Sequence, residues 1–404
     1  MATDRSVVRR YYLFRATNAA GFYLPISVLY LLDQGFGLGF VALVQATFSL
    51  AMLAAEIPSG YLGDRIGRRA SLAVGNLLRA AGMAGYAFVE TPVGFVAMQV
   101  VWATGWAFRS GTGDAWLYEL LARTCDDDGF ARIKGRGSTV LLLTSAVTAI
   151  AGGLLYGVAH ELPFLLSATL AVAGVPVLYT FPSVRVEDDD ADVFTVREAV
   201  RMLRVQASRE SVRWLVAYVG LFYGLFGLAR MVEQPALDAL GVPAAGLGVV
   251  FAAFKLVSAG AASTAGWFEE RLGARGVFGL LVPVFAVAFV IGAFFPVFLV
   301  PTFFLYRSVR SVVQPVQNQY LNDRLADVGR ATVLSGVSMV LSLSSGLMKL
   351  ATGGIAEQLG PLAFLPRAGA VVVVVACLLW FLTRPVRSGA GTAAVPGGGA
   401  AASD

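Results

Sequence analysis

The chain has 404 residues, of which 57% are apolar and only 14% charged, with a mean hydropathy of +0.71. Domains that fold in water carry about a quarter charged residues, so this composition excludes an ordinary soluble fold and points to lipid as the solvent. The formal net charge of +5 comes from arginines set between long apolar runs rather than along one amphipathic face, which argues against nucleic acid as a partner.

A helix needs about 20 residues to cross a hydrocarbon layer about 30 Å thick. Helices are also the spanning form that satisfies its own backbone there. In chain order this length places spans at 11–32, 38–59, 70–89, 93–117, 137–158 and 161–182. After a polar gap come 213–235, 243–265, 275–295, 297–320, 331–353 and 367–384. The basic start at residues 1–10 runs on through Leu24, Pro25, Ile26 and Val28, which predicts a retained first span rather than a cleaved signal.

Charge in the gaps fixes an orientation. Gaps after even-numbered spans hold Arg65, Arg68 and Arg69, then Arg132, Lys134 and Arg136, then Arg197, Arg201 and Arg204, then Arg271 and Arg275, then Arg324 and Arg330. Gaps after odd-numbered spans hold Asp33, Glu90, His160, Glu161, Asp238 and Glu357. The positive-inside bias therefore places both termini and every even gap in the cytoplasm, in a multi-pass protein of the cell membrane in contact with lipid.

Four regions follow. Residues 1–182 form one six-helix bundle and 213–384 a second. The cytoplasmic linker 183–212 joins them, opening on the acidic run Glu187, Asp188, Asp189, Asp190 and Asp192. Thr195 and Glu198 then have capping-box spacing for a surface helix. The Gly-, Ala- and Pro-rich tail 385–404 is expected to be disordered.

Chemistry of other kinds leaves no trace. Cys125 falls in a polar gap and Cys377 in an apolar run, which implies no disulfide framework. His160 has no His or Cys near it, and no serine–histidine arrangement is visible, so neither a metal, a cofactor nor enzyme activity is expected. No glycine-rich phosphate loop ends in Lys-Ser/Thr, so ATP is not the expected driving force.

The chain also repeats itself. Gly60, Asp64, Arg65, Gly67 and Arg69 recur as Gly266, Glu270, Arg271, Gly273 and Arg275, 206 residues on, while Arg68 becomes Ala274. Arg109-Ser110 echoes in Arg310-Ser311. Two related halves are indicated. Residues 60–69, read as Gly-x-Leu-x-Asp-Arg-x-Gly-Arg-Arg, resemble the loop signature of the Major Facilitator Superfamily.

That resemblance implies an all-α fold of twelve transmembrane helices in two pseudo-symmetric bundles, working as a secondary transporter by alternating access and functional as a monomer. It also implies a gating latch of Gly60, Asp64, Arg65, Gly67, Arg68 and Arg69, in which Asp64 meets the start of the eleventh helix near Ala331. An anion at a helix N-terminus suits that role, worth about 0.3–2 kcal/mol. Glu270 and Arg271 would form a degraded counterpart. The stretch 108–119 looks like the fourth helix of a little-characterised, drug-efflux-like group. It departs from the Arg-Gln-Gly pattern, which weakens the transfer of a proton-coupling role to Arg109 and leaves it a candidate for coupling or an ion pair.

Charges inside a span are expensive and usually face protein or a water-filled cavity. Arg79, Arg109, Lys255, Arg307 and Arg310 fall deep, whereas Arg15, Glu56, Asp114, Glu119, Arg230, Glu233 and Lys349 lie nearer span ends. Arg230 and Glu233, three apart, are placed to pair. Glu56 and Asp114, then Glu119 and Glu233, are candidates for proton coupling or ion pairs. The deep cations either meet acids on neighbouring helices, such as Glu56 or Asp114 for Arg109, or await an anionic ligand. Lys255 and Arg307 have no evident partner. Ser335, Ser338, Ser342 and Ser345, with Thr144 and Thr148, mark either a solvated path or close packing. Aromatics at Phe22, Tyr23, Tyr30, Tyr218, Phe222, Tyr223 and Phe226 suggest a cavity for an amphiphile. Proton- or gradient-coupled export of a small amphiphilic solute is the first expectation, with a small organic anion, or a non-transporting receptor of the same fold, as alternatives.

Overall fold

The structure, a computed structural model, describes residues 5–124, 129–182, 210–324 and 330–386. The expected linker helix, Cys125 and most of the tail lie outside the described residues. Among those described, the elements are helical throughout, apart from turns and bends.

The amino-terminal half comprises α1 (Arg5–Thr17), α2 (Ser27–Asp33), α3 (Leu38–Ile66), α4 (Arg68–Tyr86), α5 (Pro92–Ala107), α6 (Thr112–Thr124), α7 (Phe130–Tyr156) and α8 (Leu162–Tyr179). The other half comprises α9 (Glu210–Ala239), α10 (Ala244–Ser263), α11 (Ala265–Gly279), α12 (Leu281–Phe294), α13 (Leu299–Asn322), α14 (Arg330–Leu359) and α15 (Pro361–Thr383). Seven of these, α3, α7, α8, α9, α10, α14 and α15, are individually long and apolar enough to cross a membrane. The pair α11–α12, bent by 60°, adds an eighth crossing. The remaining crossings of the twelve-helix fold are the broken pairs α1–α2 and α5–α6 and the charge-bearing helices α4 and α13.

Several expected spans are interrupted, and each break has a local cause. The first is not one helix: residues 18–26 turn between α1 and α2, where Pro25 offers no backbone donor. The fourth stops at Ala107, and Gly111, at φ +73°, sets the corner before α6. Ser71 of α4 donates to the freed carbonyl of Phe108 at 3.1 Å and ties that break down. Between α3 and α4 the expected ten-residue loop is almost all helix. Only Gly67, at φ +85°, separates Ile66 from Arg68.

The outer face of α15 shows why lipid suits this surface. Val371, Val374, Leu378, Phe381 and Leu382 are exposed at helical spacing, while Phe364, Leu365, Val372 and Ala376 are buried on the opposite side. Of the seven single-helix crossings the most enclosed is α9.

Candidate functional site

The two halves meet along two antiparallel seams, α3 against α14 and α7 against α10. Glycine makes both close. A Cβ on Gly153 of α7 would lie 2.7 Å from the Ala244 carbonyl oxygen of α10, and one on Gly248 would strike the Ala149 carbonyl. On the other seam a Cβ on Gly353 would lie 2.5 Å from that of Ala42, and one on Gly346 3.3 Å from that of Ser49.

Among the described residues, every hydrogen bond between the halves lies at the arginine-poor end. Gln234, near the end of α9, reaches the break in the first crossing. Its Oε1 accepts from Val28 N at 2.8 Å and Leu29 N at 3.3 Å, and its Nε2 donates to the Leu24 carbonyl at 2.8 Å. These backbone donors belong to the first turn of α2, whose helix gives them no partner. Gln234 thus caps a helix in the opposite half. Glu357, in the last turn of α14, accepts from Gly39 N at 2.9 Å at the start of α3, placing a carboxylate on a helix N-terminus. Sequence reasoning gave neither residue a role.

At the arginine-rich end the expected latch is arranged within its own half. Arg68 pairs with Glu119 at 2.5 Å, Arg69 donates to the Phe181 carbonyl at 3.0 Å, and Arg65 lies over the Tyr61 ring at 4.4 Å. Gly60 sits inside α3 with nothing nearby, rather than in a turn. Arg271 lies over Trp267, beside an exposed Glu270. The side chains of Asp64 and Ala331 lie outside the described residues.

The amino-terminal cations are sealed. Arg79 is 1% exposed, lies over the Trp106 ring at 4.7 Å and donates to Asn18 Oδ1 at 3.5 Å. Arg109 donates to Asn76 Oδ1 and faces the Phe14 ring, not Glu56 or Asp114. Asp114 is instead held by Lys134 at 2.8 Å. The stems of Arg79 and Arg109 cross through Gly105 and Gly75, where a Cβ would lie 2.9 Å and 2.7 Å from their Cγ atoms. Arg79 therefore does not line an open space.

The carboxyl-terminal cations are arranged differently. Glu233 is fully buried and accepts from both Arg307 and Tyr306. Arg307 thus has a partner where none was evident, and Arg230 does not pair with Glu233 as its spacing suggested. Arg307 also lies over the Phe254 ring at 4.5 Å, next to Lys255. Arg310 lies over Tyr223 at 5.3 Å. Lys349 is buried rather than near a helix end, because α14 continues ten residues beyond it. Arg230 and Arg310 are solvent-exposed although they sit well inside crossing helices, and Ser338 and Ser342 of α14 are exposed with them.

The aromatic residues expected to line a cavity mostly pack helices together. Tyr23, Tyr30, Tyr218, Phe222 and Phe226 are each at most 4% exposed. Thr148 is likewise buried, donating to the Thr144 carbonyl at 2.7 Å against the turn at Gly21. An apolar groove of about 470 Å³ lies between α4 and α8, lined by Leu77, Ala81 and Val172, and none of these charges reaches it.

The Major Facilitator Superfamily profile matches residues 12–234, more than half of the chain. The chain belongs to the Major Facilitator Superfamily. Across 84% of its length it is 24% identical to an uncharacterised MFS-type transporter, YxaM, of Bacillus subtilis (strain 168), covering 87% of that protein. A second such transporter, MJ1317 of Methanocaldococcus jannaschii, is 27% identical over 33% of this chain and 31% of its own. In fold it is similar to the nucleoside transporter NupG, with a TM-score of 0.79 at 12% identity over 95% of this chain and 98% of that one. It is also similar to a D-xylose–proton symporter, with a TM-score of 0.67 at 13% identity over 93% and 97%. This superfamily member is a multi-pass membrane transporter and not an enzyme.

Proposed function

We propose that the transporter works by alternating access, and that the state described here opens a central cavity to the cytoplasm. The carrying observation is the asymmetry of the seam. Among the described residues, hydrogen bonds join the halves through Gln234 and Glu357 at the arginine-poor end alone, while Arg230 and Arg310, inside the crossings, are exposed. The positive-inside bias assigns the arginine-rich end to the cytoplasm, and with it both termini, in a cell-membrane protein.

The cargo in this reading is polar and charge-bearing. An aromatic cavity motivated the export of amphiphiles, and five of those rings, Tyr23, Tyr30, Tyr218, Phe222 and Phe226, are buried between helices. Exposed cations favour the organic-anion alternative instead. A gradient drives the cycle, with Glu233 as the coupling carboxylate. It is the one acid among the buried described residues, and protonating it would release Arg307.

A single cysteine at Ser342, with Cys125 and Cys377 replaced by alanine, tests access without a known cargo. A membrane-impermeant maleimide should label it from the cytoplasmic face and far more slowly from outside. Equal labelling from both faces rules the reading out. Acidification should change the labelling rate beyond the loss of thiolate that an always-accessible cysteine shows, and this excess should vanish with Glu233→Gln; a persistent excess removes Glu233 as the coupling group.

A further inference from the structure

From the basic side chains gathered on one stripe of α9 we infer a binding site for a small soluble dianion, such as a dicarboxylate or a phosphate ester, held by Arg230, Arg310 and Lys349. The inference rests on the cytoplasm-open cavity and names what that cavity takes.

Tyr223, Gly227 and Arg230 follow one another on one stripe of α9, at spacings of four and three residues. Arg310 of α13 stacks over Tyr223 at one end of the stripe. At Gly227 the helix has no side chain, and Lys349 of α14 fills the room, its Cε 3.2 Å from where a Cβ would stand. Ser345 presents its hydroxyl to the same place. Arg310 and Lys349 therefore both reach the stripe of α9 that Arg230 continues, which brings three basic side chains from three helices to one face.

The balance of charge then decides the ligand. Four basic side chains, counting Arg307, meet one carboxylate, and Glu233 is already engaged by Arg307 and Tyr306. Among the described residues, neither a hydrogen bond to a carboxylate nor an ion pair neutralises Arg230, Arg310 or Lys349. Like charges brought out of bulk water repel strongly unless an opposite charge joins them. A monoanion would leave most of the excess in place, whereas two negative charges a few ångströms apart can engage cations on α9, α13 and α14 together. Arg and Lys suit this task, the first by forked donation to carboxylate or phosphate and the second as a mobile point charge. Because Arg230 and Arg310 are exposed, such a ligand can arrive from solvent.

Thermal stability of the purified full-length transporter in detergent tests the site. Succinate, citrate and glucose 6-phosphate should each raise the melting temperature. Lactate, glucose and tetraphenylphosphonium should do so weakly or not at all. The apparent Kd for the best dianion should weaken roughly thirtyfold or more with Arg310→Gln, and again with Lys349→Gln. Both variants remove like-charge repulsion, so their melting temperatures without ligand should hold or rise. The inference is overturned by equal stabilisation from lactate and succinate, by undiminished dianion binding in the double variant, or by stabilisation from phosphatidylglycerol alone. Dianion binding without one-sided labelling at Ser342→Cys would sink the alternating-access reading and leave the site standing. One-sided labelling without any dianion response would do the reverse.

Discussion

Glu233 shows what one buried carboxylate does inside a membrane protein. It is fully enclosed and serves both Arg307 and Tyr306, so neither charge stands uncompensated. Replacing it with Met should destabilise the protein by about 3–5 kcal/mol, because a desolvated guanidinium is left behind. Glu233→Met with Arg307→Met should recover most of that loss, and a double-mutant cycle of melting temperatures measures the coupling. Gly227 permits a similar test by volume. A Val there would collide with Ser345 and push Lys349 aside, so dianion stabilisation should fall several-fold while the fold persists. Most of these residues were legible in the sequence as charges within apolar runs, but their partners were not. Spacing suggested Arg230 for Glu233, whereas the structure supplies Arg307, 74 residues away. Lys349 was assigned to a helix end because the expected span stopped at 353, and α14 in fact continues to Leu359.

At the scale of the helix, apolar length located the crossings well and their continuity poorly. A broken helix keeps its apolar composition, so the turn at residues 18–26 left no mark except Pro25 and Gly21. The break has a use. It exposes the first donors of α2, and Gln234 arrives from α9 to accept them. A lone glutamine in an apolar helix, directly before Pro235, was the available signal, since an amide in lipid needs partners. Gln234→Ala removes three hydrogen bonds that exist only when the arginine-poor end is closed. At a net contribution of about 0.5–1 kcal/mol each, the closed state should lose about 1.5–3 kcal/mol, or roughly tenfold or more in population. Labelling of Ser342→Cys from the cytoplasmic face should slow accordingly, and an unchanged rate would show that Gln234 is not part of the closure. Gly248→Val, which drives a side chain into the Ala149 carbonyl, should act in the same direction through packing alone.

Across the whole molecule, the α3–α14 seam carries a symmetry that neither half shows alone. The two helices run antiparallel, so the last turn of each and the first turn of the other belong to the same end of the seam, and the two ends lie at opposite faces of the membrane. At the arginine-poor end Glu357 closes on the start of α3. At the arginine-rich end the loop signature places Asp64, in the last turn of α3, where it could close on the start of α14. Each contact would set a carboxylate against a helix N-terminus, worth about 0.3–2 kcal/mol. In the alternating-access cycle proposed above they are not both made in full, because rocking that seats one withdraws the other. The repeat in the sequence revealed the first acid. The second was recorded only as a charge in a gap, since its partner, Gly39, lies 318 residues away. Asp64→Asn should therefore favour the cytoplasm-open state and speed labelling of Ser342→Cys from that face, whereas Glu357→Gln should slow it. With both changed, the rate should return to within about twofold of the unmodified protein, as expected when two opposed terms of similar size are removed from one equilibrium. If both single substitutions move the rate in the same direction, the two carboxylates are not opposing latches on a shared seam.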